Sequence, residues 1–167
     1  MRRCAPGRPV TLRRAIAVAA WLGAAALAPP AAHADPTDDE PGAAALDPDY
    51  AAGKRAIDAK DWRAAVKALA SAALRDTRNA DIQNYLGYAH RHLGDLARAF
   101  AHYERALKLN PRHRGAHEYA GEAALLAGDL PRAQQHLEAL KNICVLPCEE
   151  YDDLKAAIDA YRPGKAR

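Results

Sequence analysis

Leu86-Gly87-Tyr88-Ala89-His90-Arg91-His92-Leu93-Gly94-Asp95-Leu96-Ala97-Arg98-Ala99 is the stretch that decides the fold. Gly87 stands midway between two other glycines, Gly53 and Gly121, with a step of 34 on either side. Ala99 recurs at the same interval as Ala65 and Ala133, and Tyr103, just beyond it, lines up with Leu69 and Leu137. That interval is the length of one helix–turn–helix unit, so the spacing predicts a stack of repeats.

Working outward, each unit predicts two helices. Asp47-Pro48 is a helix start, a capping side chain followed by proline in the first turn, with the helix running to about Ala59. Further helices are expected over residues 62–75, 80–93, 96–109, 114–127 and 130–142. Asp61, Asp95 and Asp129, again 34 apart, stand where a carboxylate accepts the free N–H groups of a second helix. Two helices cross closely only where one lacks a side chain, which gives the periodic glycines and alanines a packing role. Leu69, Tyr103 and Leu137 are expected to fill the space beside them, with Tyr85 and Leu86 on a first helix and Ala72, Ala106 and Leu140 in a further column. No β-type alternation occurs anywhere.

On these residues the chain resembles the tetratricopeptide repeat family. The middle unit carries most of the pattern: Leu86-Gly87, then Ala99, Tyr103, Ala106 and Pro111 at the family's spacings. The first unit has Gly53, Ala65, Leu69 and Ala72 but ends in Thr77 instead of proline. The third has Gly121, Ala133 and Leu137, with Leu140 for the usual alanine and Val145 for the proline. The family's tryptophan is absent from its place in all three. The resemblance implies an all-α, right-handed superhelical stack of three helix pairs over 47–145, in repeats of about 46–79, 80–113 and 114–145.

Such a stack must be closed at its end, because the last pair otherwise leaves an apolar face in water. In the segment 146–162, which holds the cysteine loop and a capping helix, Tyr151, Leu154, Ile158 and Tyr161 fall on one helical stripe. Glu149, Glu150, Asp152 and Asp153 suit the positive end of that helix, and Pro163-Gly164 begins a short tail, 163–167.

Residues 1–34 have the three-part pattern of a secretory signal peptide. Arg2, Arg3, Arg8, Arg13 and Arg14 precede an apolar run over 15–28 and a small-x-small site at Ala32-His33-Ala34. A membrane span needs about 20 apolar residues, so no span is expected in the mature form. Arg13-Arg14 leaves Sec and twin-arginine export both open. The stretch 35–46, acidic and containing Pro36 and Pro41, is expected to be a disordered linker. Cleavage after Ala34 predicts a periplasmic or secreted protein of a bacterial envelope. The leader holds five of the 24 bases and none of the 21 acids, so the mature chain carries 19 bases against 21 acids, net −2. A nucleic-acid partner needs a concentrated basic face, and only Arg112-His113-Arg114 is grouped, so none is expected.

Cys144 and Cys148 remain after cleavage, an even pair in an oxidising compartment. A disulfide pinning the loop before the cap is one reading; a working redox pair or soft-metal site is the other, with His136 the nearest histidine in sequence. Copper-delivery proteins share the spacing but add a thioredoxin-like fold, for which no βαβ pattern exists here. The run Cys148-Glu149-Glu150-Tyr151 after Cys144 is also similar to the ends of small exported bacterial proteins of this repeat class.

No catalytic constellation is expected. Ser71 is the only serine and lies between alanines inside a helix, without an elbow motif. His117-Glu118 begins like His-Glu-x-x-His, but Gly121 stands where the second zinc ligand belongs, which removes the case for a catalytic metal. No cofactor is implied.

The resemblance implies a concave groove lined by the first helices. Carrying the helical phase over, its candidate lining is Tyr50, Lys54, Asp58, Asn84, Tyr88, Arg91, Glu118, Glu122 and Leu125. That surface mixes aromatic, amide and charged groups and grades from basic-aromatic to acidic, which suits a protein or peptide partner of mixed charge. Carboxylate-clamp members of the family use Lys, Arg and Asn in matching places. Only Lys54 and Asn84 come near that set, and Glu118 and Glu122 oppose it. The expected function is therefore a non-enzymatic binding or scaffold module; the sequence specifies neither its partner nor an oligomeric state.

Overall fold

The computed structural model describes residues 47–146, 148–162 and 164. The expected signal peptide over 1–34 and linker over 35–46 lie outside the described residues, as does nearly all of the tail. Among the described residues the chain forms seven helices and no strand. They are α1 (Pro48–Asp58), α2 (Trp62–Arg75), α3 (Ala80–His92), α4 (Leu96–Leu109), α5 (Arg114–Leu126), α6 (Leu130–Ile143) and α7 (Glu149–Ala160). None is long and apolar enough to cross a membrane.

The starts are set by the residues that periodicity singled out. Asp61, Asp95 and Asp129 accept the backbone N–H groups of Ala64, Arg98 and Arg132 at 3.0, 3.1 and 3.0 Å. Asp47 accepts from Asp49 and Tyr50. Asn79 caps α3, and a histidine, His113, caps α5 by accepting the Ala116 N–H on Nδ1 at 3.1 Å. Each such bond satisfies a donor that a helix start otherwise leaves orphaned. In the turns between paired helices Gly94 and Gly128 take positive φ, 78° and 80°. The first repeat places Lys60 there, at φ 57°, in the left-handed region that disfavours a side chain.

The core lies between units as well as within them. One buried cluster joins Ala65, Leu69 and Ala72 of α2 to Ile82, Leu86 and Ala89 of α3; another joins Ala99 and Tyr103 of α4 to Ala120 and Ala123 of α5. A second helix thus shares its apolar face with the next repeat, which is what holds a stack together. A Cβ on Gly53 would lie 2.5 Å from Leu69, and one on Gly87 would lie 2.5 Å from Tyr103.

At Gly121 the expected neighbour is replaced. Its nearest atoms belong to Leu154 of the cap, 2.6 Å from the position of a Cβ, and Leu137 is only partly buried. The reason is the end of the stack: α7 packs against both α5 and α6, and fully buried Leu154 covers the α5 face.

The three positions where the family has tryptophan hold Asp49, Gln83 and His117, and each is bonded to the second helix of its own pair. Asp49 accepts from Ser71 at 2.7 Å and from Arg75 at 2.6 Å. Gln83 Oε1 accepts from His102 Nδ1 at 2.9 Å. His117 Nδ1 lies 3.1 Å from His136 Nδ1. Polar clasps thus stand where a large ring would otherwise pack, and Ser71 is occupied as a member of one. Hydrogen bonds to Arg75 and to Ser71 hold the Asp47 and Asp49 carboxyls below the usual carboxylate range.

Candidate partner-binding site

The helices α1, α3 and α5 touch in sequence, α1 to α3 and α3 to α5, while contacts between α2 and α4 or α4 and α6 are weaker. The first helices therefore lie on the inner side of the stack, and their outward residues share one face.

On that face the aromatic rings form a row. Tyr50 of α1 lies 6.1 Å from Tyr85 of α3, and Tyr88 of α3 lies 4.8 Å from Tyr119 of α5, centroid to centroid. Lys54 sits beside Tyr85, its Nζ 4.0 Å from the ring centroid and donating to the phenol oxygen. Arg91 lies 5.1 Å from the Tyr88 ring and 5.5 Å from that of Tyr119, and its Nη1 pairs with Glu122 Oε2. At one edge the Trp62 indole stacks on His92 at 4.1 Å, with both rings against Tyr88.

Two of the expected lining residues are sunk into the structure. Asn84 is 4% exposed, its Oδ1 meets no partner among the described residues, and its amide nitrogen faces the bare Cα of Gly115. Glu118 is 8% exposed. Burial, reinforced by Glu122, Asp153 and Glu150, pushes its carboxyl up to about 8, so it carries a proton at neutral pH. Asp58 is exposed at the end of α1, and Leu125 is partly buried on α5. The clamp-like pair is not assembled: Lys54 bonds to Tyr85 and Asn84 is covered.

Tyr85, Tyr119, Trp62 and His92 belong to the face although helical phase did not assign them to it. Tyr85 and Tyr119 are themselves one repeat interval apart, a signal available in the sequence. The place of Trp62 at the face edge depends on how α2 leaves its turn, which spacing does not reveal.

The remaining reactive side chains are engaged elsewhere. His117 donates through Nε2 to the Pro111 carbonyl at 3.0 Å, so its neutral ring accepts from His136 through Nδ1. Burial lowers both rings, His136 to about 4. His90 stacks on His102 at 5.4 Å, and burial takes His102 to about 4. Among the described residues no group of three or more His, Cys, Asp or Glu side chains could hold a metal ion. The sulfurs of Cys144 and Cys148 lie at disulfide distance, 1.94 Å, and the loop between them exposes Val145 and Leu146.

Two tetratricopeptide repeat models match the chain, over residues 50–111 and 90–158. No curated protein matches it. Among solved structures, it is similar to PcrH in complex with the chaperone binding region of PopD (TM-score 0.63, 22% identity, 70% of this chain and 90% of that one). It is similar also to the TPR2B domain of yeast Sti1 in a complex with pHsp70 (TM-score 0.58, 22% identity, 71% and 95%). A third is the first TPR of Spaghetti (RPAP3) bound to the HSP90 peptide SRMEEVD (TM-score 0.58, 18% identity, 65% and 86%). At such identities the likeness is one of fold. With the repeat interval, the paired helices and both family matches in agreement, the chain belongs to the tetratricopeptide repeat family.

Proposed function

We propose that this protein is a small, exported, non-enzymatic interaction module of the bacterial cell envelope, which holds a segment of a protein partner against the face of α1, α3 and α5. The observation that carries the reading is the row Tyr50, Tyr85, Tyr88 and Tyr119, interleaved with Lys54 and Arg91. Partly buried aromatic rings beside cationic side chains are the groups that give binding surfaces most of their energy, and Tyr50, Tyr85 and Tyr119 are seated against the core in this way. The similar solved structures add support, since those described above are complexes with an HSP90 peptide, with the chaperone binding region of PopD and with pHsp70. The signal-peptide pattern supports export.

The experiment is crosslinking in the native envelope followed by mass spectrometry, then recovery of the captured partner by the Tyr50→Ala/Tyr88→Ala protein. Recovery falls at least tenfold with helical circular dichroism unchanged; undiminished recovery rejects this face.

The cysteine pair we read as a structural disulfide that fastens the loop ahead of α7, supported by the sulfur separation. Chain-entropy reasoning gives so short a loop about 2 kcal/mol at most. Two reactive thiols on denatured protein purified without reductant would overturn this and favour the redox or soft-metal reading.

A further inference from the structure

At the α5–α7 end of the first-helix face the charge changes sign. Glu118 and Glu122 come from α5, and Glu150 and Asp153 from the first turns of α7. Arg91 of α3 neutralises Glu122, and Arg114 lies 3.5 Å from Glu150. Among the described residues, Glu118 and Asp153 are left without an ion-pair partner.

Glu118 is the unusual member. It is more than nine-tenths buried, yet among the described residues it accepts no hydrogen bond and joins no ion pair. Its oxygens are nonetheless not sealed off, for they are absent from the fully enclosed side-chain atoms that lack a partner. A carboxyl held in a dry wall, open to solvent only at its tip and unpaired, is an acceptor waiting for a donor. One repeat earlier, the equivalent Asn84 also carries an unpartnered acceptor oxygen, but that one is fully enclosed, so Glu118 alone offers an open acceptor at this position of the repeat. No three of these acids converge closely enough to hold a metal ion among the described residues. The complement is therefore an organic cation, whose apolar stem has the neighbouring Tyr119 ring to lie against.

We propose that this end of the face holds a cationic side chain, arginine or lysine, of the bound segment, with Glu118 as its accepting carboxylate. The proposal rests on the partner-binding reading and fixes one feature of the partner: a basic residue that reaches α5 and α7. It is the opposite polarity to a carboxylate clamp. Binding selects the ionised carboxyl, against the burial and the repulsion from Glu122, Glu150 and Asp153 that favour the protonated one, and with help from Arg91. Affinity for a cation therefore rises with pH.

The probe is N-acetyl-arginine amide, whose guanidinium stays charged throughout, with N-acetyl-citrulline amide as its neutral isostere. NMR titration is expected to shift the amides of residues 118–122 and the start of α7 at least threefold more with arginine than with citrulline. Glu118→Gln should abolish that preference, and affinity should be at least fivefold tighter at pH 8.5 than at 6.5. In the unsubstituted protein, the probe should also lower the titration midpoint of the Glu118 carboxyl carbon, a readout that needs no variant. Equal shifts from the two probes, or an unmoved midpoint, overturn the cation site. If that happens while Tyr50→Ala/Tyr88→Ala still abolishes partner recovery, only the cation site fails. If the tyrosine variant recovers the partner undiminished, the reading of the face fails instead.

Discussion

Gly87→Ala tests the packing of the stack at its tightest point. A Cβ there would lie 2.5, 2.6 and 2.9 Å from three atoms of the Tyr103 ring, distances that real contacts do not reach. Tyr103 is 1% exposed, wedged in the core that α4 shares with α5, so it has nowhere to turn. Overpacking of this kind costs about 1–3 kcal/mol, and three close ring atoms place it at or above the upper end. Replacing glycine inside a helix returns about 1 kcal/mol of propensity. The net expectation is a loss of about 2 kcal/mol, or roughly 6–10 °C in Tm for a domain of this size. Gly115→Ala is the internal control. The nearest atom to its Cβ would be the amide nitrogen of the Asn84 side chain at 3.2 Å, which can yield, so that substitution should be neutral or mildly stabilising. Urea unfolding followed by circular dichroism reads both. If the two variants differ by less than about 0.5 kcal/mol, the close approach at Gly87 is not what joins α3 to α4, and the reasoning fails.

Lys60→Gly should raise stability by about 0.5–1 kcal/mol, measured by the same unfolding, because Lys60 alone occupies the left-handed turn position that the other repeats give to glycine. Desolvation of the half-buried rings holds His102 and His136 down at about 4 in the fold, against about 6.5 when unfolded, so the unfolded chain takes up protons first and stability drains away between pH 6.5 and 4. After allowance for solvent screening each ring accounts for about 1–2 kcal/mol, and the gap between the protein and its His136→Gln variant should shift by that amount between pH 7.5 and 4.5; a constant gap would count against the clasp. Glu118 works in the other sense: raised to about 8, it gives stability that is fully present below the ordinary carboxylate range and lost as pH climbs through 8, so Glu118→Gln should gain on the unsubstituted protein in urea midpoints above pH 8.5.

Helix order and the turn caps were legible because they repeat: three glycines, three alanines and three aspartates at one interval leave a single architecture. The cap was legible too, since Leu154 sits on a stripe of its own. Its exact seat was not, because periodicity assigns Gly121 to Leu137, and only the end of the stack makes the next helix the nearer neighbour. The face was legible in part. Tyr50, Lys54, Tyr88 and Arg91 follow from helical phase, but which cation meets which ring or acid is a contact across repeats, as between Lys54 and Tyr85 and again between Arg91 and Glu122. The clasps leave only a faint trace in the sequence. His102 and His136 share the repeat interval, as do Gln83 and His117. Absence of tryptophan at positions 49, 83 and 117 says that something else must join the helices without saying what.

The seating of Leu154 over Gly121 bears on the order in which the chain can become itself. The first two repeats bring their own covering side chains, Leu69 and Tyr103, on the helix that directly follows the glycine each covers. The third waits for a side chain two helices further on, beyond the cysteine loop. During synthesis from the N-terminal end, two repeats can close while Gly121 of α5 still lacks the side chain that covers it. Gly121 stands one helical turn from Glu118, so the end of the face where its charge reverses is completed only after the two repeats before it.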